Sequence, residues 1–157
     1  MGTLPRRLKT FLDACAAGYE LVHHRRRYTA QHTAEDLHTS GKTFAKTVFL
    51  WVDGRPTMAV VPANRHVDLS RFRALTGATT AELATEEEMR GLCPDCETGA
   101  EPPFGNLYDL PVYLAPELAL HDEITFNAGT HEDVIRMNYA TYARLVRPLL
   151  VDLATDH

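Results

Sequence analysis

The chain has 157 residues, 45% of them hydrophobic, and a net charge of −5. That is enough chain for one domain with a real core. No apolar run approaches the ~20 residues of a membrane span. The acidic balance excludes a generally basic nucleic-acid coat, though local basic patches can still grip a phosphate backbone.

At the N-terminus, Met1-Gly2-Thr3-Leu4-Pro5-Arg6-Arg7 has no apolar stretch behind its charges, so no secretory signal is read. A cytoplasmic location and no membrane partner are expected. Thr3 is placed to cap a first helix carrying Leu4, Leu8, Phe11, Leu12 and Cys15 at helical spacing, with Gly18 as its stop. This puts Cys15 in the core. A short strand over Tyr19 to His24 follows. Arg25, Arg26 and Arg27 come next, a basic cluster that reads equally as a solvated face. Thr29 caps a helix to about His38, closed by Gly41, and His32 lies on its solvated side.

Ala45-Lys46-Thr47-Val48-Phe49-Leu50-Trp51-Val52 is the most strand-like stretch. Alternation places Lys46, Val48, Leu50 and Val52 on one face and Ala45, Thr47, Phe49 and Trp51 on the other. Both faces are apolar, which describes a strand buried on both sides. A lysine there lies at an exposed strand end, is paired, or is held for chemistry. Asp53-Gly54 is a two-residue hairpin turn. It pairs Val52 with Arg55 and Lys46 with Val61, ends the second strand at Pro62, and leaves Ala63 and Asn64 near the lysine.

Asp68 caps a helix over Leu69, Phe72 and Leu75, ended by Gly77. Thr85 and Glu88 form a capping box, and Glu86 and Glu87 suit the positive end of that helix dipole. From Cys93 to Asn106 the chain is loop-like. Strands are expected over Pro111–Leu114, Glu123–Asn127 and Val134–Met137. Asn138 caps a last helix with Tyr142, Leu145, Val146 and Leu149. With no repeat or linker, residues 1–157 read as one mixed α and β domain.

Several motifs fail. Ser40-Gly41-Lys42-Thr43 resembles the end of a phosphate-binding loop, but the required earlier glycine is Asp36. His131-Glu132 begins a zinc-protease pattern that Ile135 breaks. Cys93-Pro94-Asp95-Cys96 has metal or redox spacing, yet zinc needs four ligands and no second paired motif supplies them. His66, His121 or His131 would have to converge by folding. The pair trails a helix rather than opening one, unlike a thioredoxin-type site, so packing cysteines are expected and no metal is assigned. Three cysteines also make no disulfide framework. No nucleophile with a neighbouring base is evident. In Gly99-Ala100-Glu101-Pro102-Pro103-Phe104-Gly105, two glycines allow close approach and two prolines stiffen the path. Exposed N–H groups in such a loop suit a carbonyl or oxyanion.

Taken in order, Lys46-Thr47-Val48-Phe49-Leu50, Gly99 to Pro103-Phe104-Gly105, and Phe126-Asn127-Ala128-Gly129-Thr130 resemble the YbaK/prolyl-tRNA synthetase-associated domain family, over about Thr29 to Pro148. The resemblance implies an α+β fold with a mixed, barrel-like sheet flanked by helices. It implies trans-editing hydrolysis of mischarged aminoacyl-tRNA, with alanine, serine, threonine and cysteine esters all open. Lys46 is then the catalytic residue, required for deacylation; its chemistry allows a positioning and electrostatic role, which is preferred, or that of a base if burial lowers its pKa. The Gly99-to-Pro103 loop then borders the pocket, so Gly99, Ala100, Pro102, Pro103, Phe104 and Gly105 are taken as substrate-binding. Asn64 joins them from the hairpin register, and Gly129, Thr130 and His131 from the loop after a strand, His131 reading equally as a surface histidine. The implied partners are the acceptor end of aminoacyl-tRNA and a synthetase, with no cofactor. The competing reading is a non-catalytic module that binds a tRNA end or a synthetase.

Overall fold

The structure, a computed structural model, describes residues 4–24 and 43–156. The Arg25–Arg27 cluster, and the Thr29–His38 helix with His32 and Gly41, lie outside the described residues. The first helix begins only at Arg6 with Pro5, not the expected Thr3, at its N-cap, and Leu4 precedes it.

Helix α1 (Arg6–Ala14) is followed by strand β1 (Glu20–His23). The helix stops short of Gly18, because Cys15 is already its C-terminal cap and Ala16 takes a left-handed conformation (φ 52°). Cys15 is therefore half-buried at the helix end and not part of the core.

The central hairpin, β2 (Phe44–Val52) and β3 (Arg55–Pro62), has the expected register, with Val52 opposite Arg55 and Lys46 opposite Val61. Asp53 (φ 50°) and Gly54 (φ 80°) both occupy the left-handed region, as a type I′ turn requires. Asp53 Oδ1 also accepts from the N–H groups of Thr79 and Thr80, each at 2.9 Å. These bonds fasten the turn to the segment just before Ala81.

Strand β4 (His66–Val67) leads to α2 (Leu69–Thr76). Asp68 Oδ1 caps α2 through Arg71 N–H at 3.0 Å, and Gly77 closes it at φ 79°. After β5 (Ala81–Leu83), α3 (Glu86–Leu92) carries the full capping box. Thr85 Oγ1 accepts from Glu88 N–H (3.1 Å), and Glu88 Oε1 accepts from Thr85 N–H (2.8 Å). A 3₁₀ turn (Gly105–Tyr108), β6 (Val112–Leu114), a second 3₁₀ turn (Pro116–Leu120), β7 (Glu123–Asn127), β8 (Asp133–Asn138) and α4 (Tyr139–Val146) follow. Leu149 leaves the last helix and joins β9 (Leu149–Leu150), and β10 (Ala154–Thr155) pairs with β4. The pairs formed by β4, β5, β9 and β10 carry no periodic signal, since two or three residues hold too little alternation to read.

The strands form one eight-stranded mixed sheet in the order β1-β8-β7-β2-β3-β6-β9, with β5 also on β2. Along the edge of β2 away from β3, β7 pairs only with Phe44 and Ala45, and β5 only with Leu50 to Val52. The centre of that edge, at Lys46 to Val48, lies between the two partners.

The two faces of β2 are packed differently. Ala45 and Phe49 join the larger core with Met58, Val60, Phe126 and Tyr142, covered by Leu8 and Leu12 of α1. Phe104 sits at its centre, edge-on to Phe126 (5.5 Å) and Tyr142 (5.4 Å). On the opposite face, Leu50 joins a smaller cluster with Ala59, Val61 and Phe72 of α2, while Phe44 belongs to a third with Ala63 and Val134.

Candidate active site

Lys46 stands on this second face, between Phe44 and Val48. It is half-buried, and burial holds its ammonium below the ordinary lysine pKa of 10.5. Among the described residues no carboxylate pairs with it. Of the three situations open to such a lysine, an ion-paired strand end is therefore the one the described residues do not support.

The parallel β2–β7 register aligns Phe44 with Thr125 and Ala45 with Phe126. Continued one step past the last paired residues, the same register puts Asn127 at the position next to Lys46 on the same face. Asn127 is 5% exposed, and its Oδ1 has no hydrogen-bond partner. Such an orphan costs about 1–3 kcal/mol. An orphaned acceptor beside a cation fits a surface completed by a bound molecule. Thr47 Oγ1 is also buried and unpartnered, but it lies on the opposite face of the strand.

Beyond Asn127 the chain enters the Ala128–Glu132 loop, which is bound to the glycine–proline loop. Gly129 N–H donates to Ala100 O (2.9 Å), and Glu97 N–H donates to Gly129 O (2.8 Å). Gly129 has φ 94°, and a Cβ on it would overlap the Pro5 ring. His131 is 4% exposed. Its N–H donates to Glu97 Oε1 and its Nε2 donates to Thr98 O, both at 2.8 Å. The ring also packs against Gly99, where an added Cβ would lie 3.3 Å from His131 Cε1. His131 is thus a clamp between the two loops, not an open side chain.

The glycine–proline loop has no outward pair of N–H donors in its first half. Ala100 N–H donates to Glu97 O, Gly99 N–H to Glu101 Oε1 (3.0 Å) and Phe104 N–H to Pro102 O, while Pro102 and Pro103 have none to offer. The oxyanion role expected of it is therefore not supported by these donors. Its function is rigidity. Tyr142 Oη donates to Pro103 O at 2.6 Å, and Phe104 is buried in the aromatic core. Ala100, Pro102, Pro103 and Gly105 are buried with it, whereas Gly99 is exposed.

Asn64 occupies the exposed turn after β3. Ala63 N–H donates to Phe44 O, so Asn64 falls near Thr43, beyond the lysine along the hairpin. The β2–β7 register sets Asn127 at the position next to Lys46, and hydrogen bonds from Gly129 and His131 join the loop after Asn127 to the glycine–proline loop, while Asn64 lies at the end of the hairpin.

Three groups escaped the sequence reading. Asn127 had its place in a motif but no role, and Glu97 looked like one more loop acid. Glu101 is 3% exposed, and burial pushes its carboxyl up to about 7. A carboxylate between alanine and two prolines could have signalled a buried acid, but only tertiary packing shows it.

No activated nucleophile is found among the described residues. Thr130 Oγ1 donates to Asp133 Oδ2 (2.6 Å), and Asp133 Oδ1 meets His23 Nδ1 (2.9 Å). The carboxylate sits between hydroxyl and imidazole, so the base cannot reach the hydroxyl as a catalytic triad requires. Cys93 beside Cys96 and its own burial push the Cys96 thiol well above the usual range. His66 and His121 do not join the two cysteines.

Lys46 thus stands on a sheet face beside two interlocked loops, with no activated nucleophile among the described residues. The chain belongs to the aminoacyl-tRNA editing domain family, whose model matches residues 24–145. It is 30% identical over 152 residues to the multifunctional Ser/Thr-tRNA deacylase ProXp-y of Escherichia coli K12, covering 94% of this chain and 90% of that protein. It is 33% identical over 78 residues to a proline–tRNA ligase of Oleidesulfovibrio alaskensis, covering 50% of this chain and 14% of the ligase. A crystal structure described as a candidate trans-editing enzyme for prolyl tRNA synthetase superposes with a TM-score of 0.85 at 23% identity, covering 99% of both chains, and shares the fold. No helix among the described residues is long and apolar enough to cross a membrane.

Proposed function

We propose that the protein, acting as one domain in the cytoplasm, hydrolyses the ester joining a small amino acid to the 3′ end of a mischarged tRNA. The observation that carries this reading is Lys46: a half-buried cation without a carboxylate partner among the described residues, beside the orphaned Asn127 oxygen. An aminoacyl ester is already reactive, so its hydrolysis needs a placed water and a stabilised oxyanion. Water attacks the carbonyl carbon, the carbonyl oxygen takes up negative charge, and the acyl C–O bond breaks. The ribose hydroxyl leaves with a proton. Lys46 supplies the charge that stabilises the oxyanion. Asn127 orients a polar group of the substrate. The wall is formed by Gly99 to Gly105 and by Gly129, Thr130 and His131, and Asn64 meets the acceptor strand at the rim.

Because the Escherichia coli relative is named for seryl- and threonyl-tRNA, those esters are the first substrates to test, with alanyl and cysteinyl esters beside them. Apolar contacts separate such small groups by only about 1–3 kcal/mol per methylene, which favours relaxed specificity. The acidic chain makes a synthetase a natural partner for tRNA delivery.

The test is a deacylation panel using serine, threonine, alanine and cysteine esters on proline, lysine and alanine acceptor tRNAs. The wild type should clear at least one ester much faster than Lys46→Ala. Equal rates for both proteins on every ester would overturn the proposal. Binding of charged tRNA without turnover would instead establish the non-catalytic module.

A further inference from the structure

The Cys93-Pro94-Asp95-Cys96 turn is unused by the lysine site, yet its side chains converge. The Cys93 Sγ, Asp95 carboxylate and Cys96 Sγ ligand atoms all lie within 4.8 Å of one another. Asp95 Oδ1 is 3.9 Å from Cys93 Sγ and 3.8 Å from Cys96 Sγ. Both distances are long for hydrogen bonds. They come close to the S···O edge of a zinc tetrahedron, about 3.5 Å for Zn–S of ~2.3 Å and Zn–O of ~2.0 Å. Cys93 is 0% exposed, with its thiol facing Asp95 Oδ1.

The surroundings already orient the carboxylate. Tyr108 Oη donates to Asp95 Oδ1 at 2.8 Å and lies 3.5 Å from Cys96 Sγ. Arg7 Nε faces the other oxygen, Oδ2, at 3.7 Å, and its guanidinium stacks 4.5 Å over the Tyr108 ring. One carboxylate oxygen is turned to the thiols while the other is held by a cation, as in the outer shell of a metal site.

We propose that Cys93, Asp95 and Cys96 bind a thiophilic divalent cation of the zinc class, with the fourth position opening beside Tyr108 Oη. Two features that argue against the motif in the sequence are eased by the geometry. The third ligand comes from inside the motif, and the fourth position is left to solvent rather than to a distant histidine. The position after α3, unsuited to a redox pair, suits a clamp at the root of the glycine–proline loop. Cys96 Sγ lies 3.7 Å from where a Gly129 Cβ would stand, and the next residue, Glu97, hydrogen-bonds Gly129. The ion therefore pins α1, α3 and the two site loops together. This inference holds whether or not the protein deacylates tRNA.

Cobalt titration of the reduced full-length chain tests it. The expected result is a thiolate-to-cobalt charge-transfer absorption that saturates at about one ion per chain and is displaced by zinc. Cys96→Ser should remove the band with the fold retained by circular dichroism. Asp95→Ala, at a more exposed position, should weaken binding by at least about ten-fold. Cys15→Ser, outside the cluster, should leave the titration unchanged. The proposal is overturned by a reduced wild type with three free thiols and no charge-transfer band. It is equally overturned by a band that survives Cys96→Ser, or by a chain that forms a Cys93–Cys96 disulfide in air and binds no cobalt when reduced.

Discussion

The two faces of β2 begin from the same apolar pattern and end with different tasks. On one, Ala45 and Phe49 meet a continuous core in which Phe104, Phe126 and Tyr142 lock edge to edge. On the other, packing is divided: Phe44 falls in one small cluster, Leu50 in another, and Lys46 lies between them. The full face fixes the strand, so the divided face can hold a cation at a defined position. Electrostatic catalysis depends on such preorganisation, because a charge that must first be moved into place loses much of its advantage.

The comparison can be broken most forcefully on the aromatic face. Phe104→Ala should destabilise the protein by about 3–5 kcal/mol in urea unfolding, since it empties the centre of the core and frees the end of the glycine–proline loop. A loss below about 1 kcal/mol would mean that this face does not fix the strand.

Lys46→Ala should do the reverse. We expect turnover of the cleared ester to fall by about 10²–10³ in single-turnover assays, with little change in the unfolding midpoint. A large stability loss with a proportionate loss of activity would make Lys46 structural.

Glu101 tests the wall between these extremes. Its folded-state pKa is raised to about 7 by burial, so the fold favours the protonated carboxyl. That stability is fully present below the unfolded value near 4.5 and is lost as pH rises through about 7. Relative to Glu101→Gln, which retains an acceptor for Gly99 N–H, the wild type should lose on the order of 2–3 kcal/mol across that window. Parallel pH–stability curves for the two proteins would show that Glu101 is not buried as described.

The smallest effect is expected from Lys46→Met, which keeps the stem and removes the charge. Because the folded-state pKa of Lys46 lies below 10.5, the penalty for the buried ammonium is fully present below that depressed pKa and is relieved as pH rises toward 10.5. The variant should be more stable at neutral pH by no more than about 1 kcal/mol, and its lead should shrink in alkali. A lead that grows with pH would reverse the assigned shift.

Much of the scaffold is local chemistry and was legible on that account. Asp53-Gly54 set the hairpin register, and Asp68, Thr85 with Glu88, and Asn138 marked helix starts through caps whose hydrogen bonds span only a few residues. The end of α1 was misread because Gly18 offered a stop signal that the chain reaches only after Ala16 has already turned left-handed. The site was legible in part. Lys46 announced itself as a charge in an apolar strand, and the glycine loops carried the family resemblance. Neither feature could show that the loop N–H groups turn inward, that His131 is a clamp, or that Asn127 stands next to the lysine.

The sequence by itself determined the hairpin, the caps, the two-faced strand and the lysine placed on it, because each depends on periodicity or on neighbours a few residues apart. Tertiary structure decided which face closes and which stays divided, that Asn127 falls next to Lys46 in register, that the two loops interlock, and how Tyr108 and Arg7 orient Asp95. Those outcomes depend on parallel pairing and burial between segments up to ~80 residues apart, and long-range contacts of that kind leave no periodic trace in the chain.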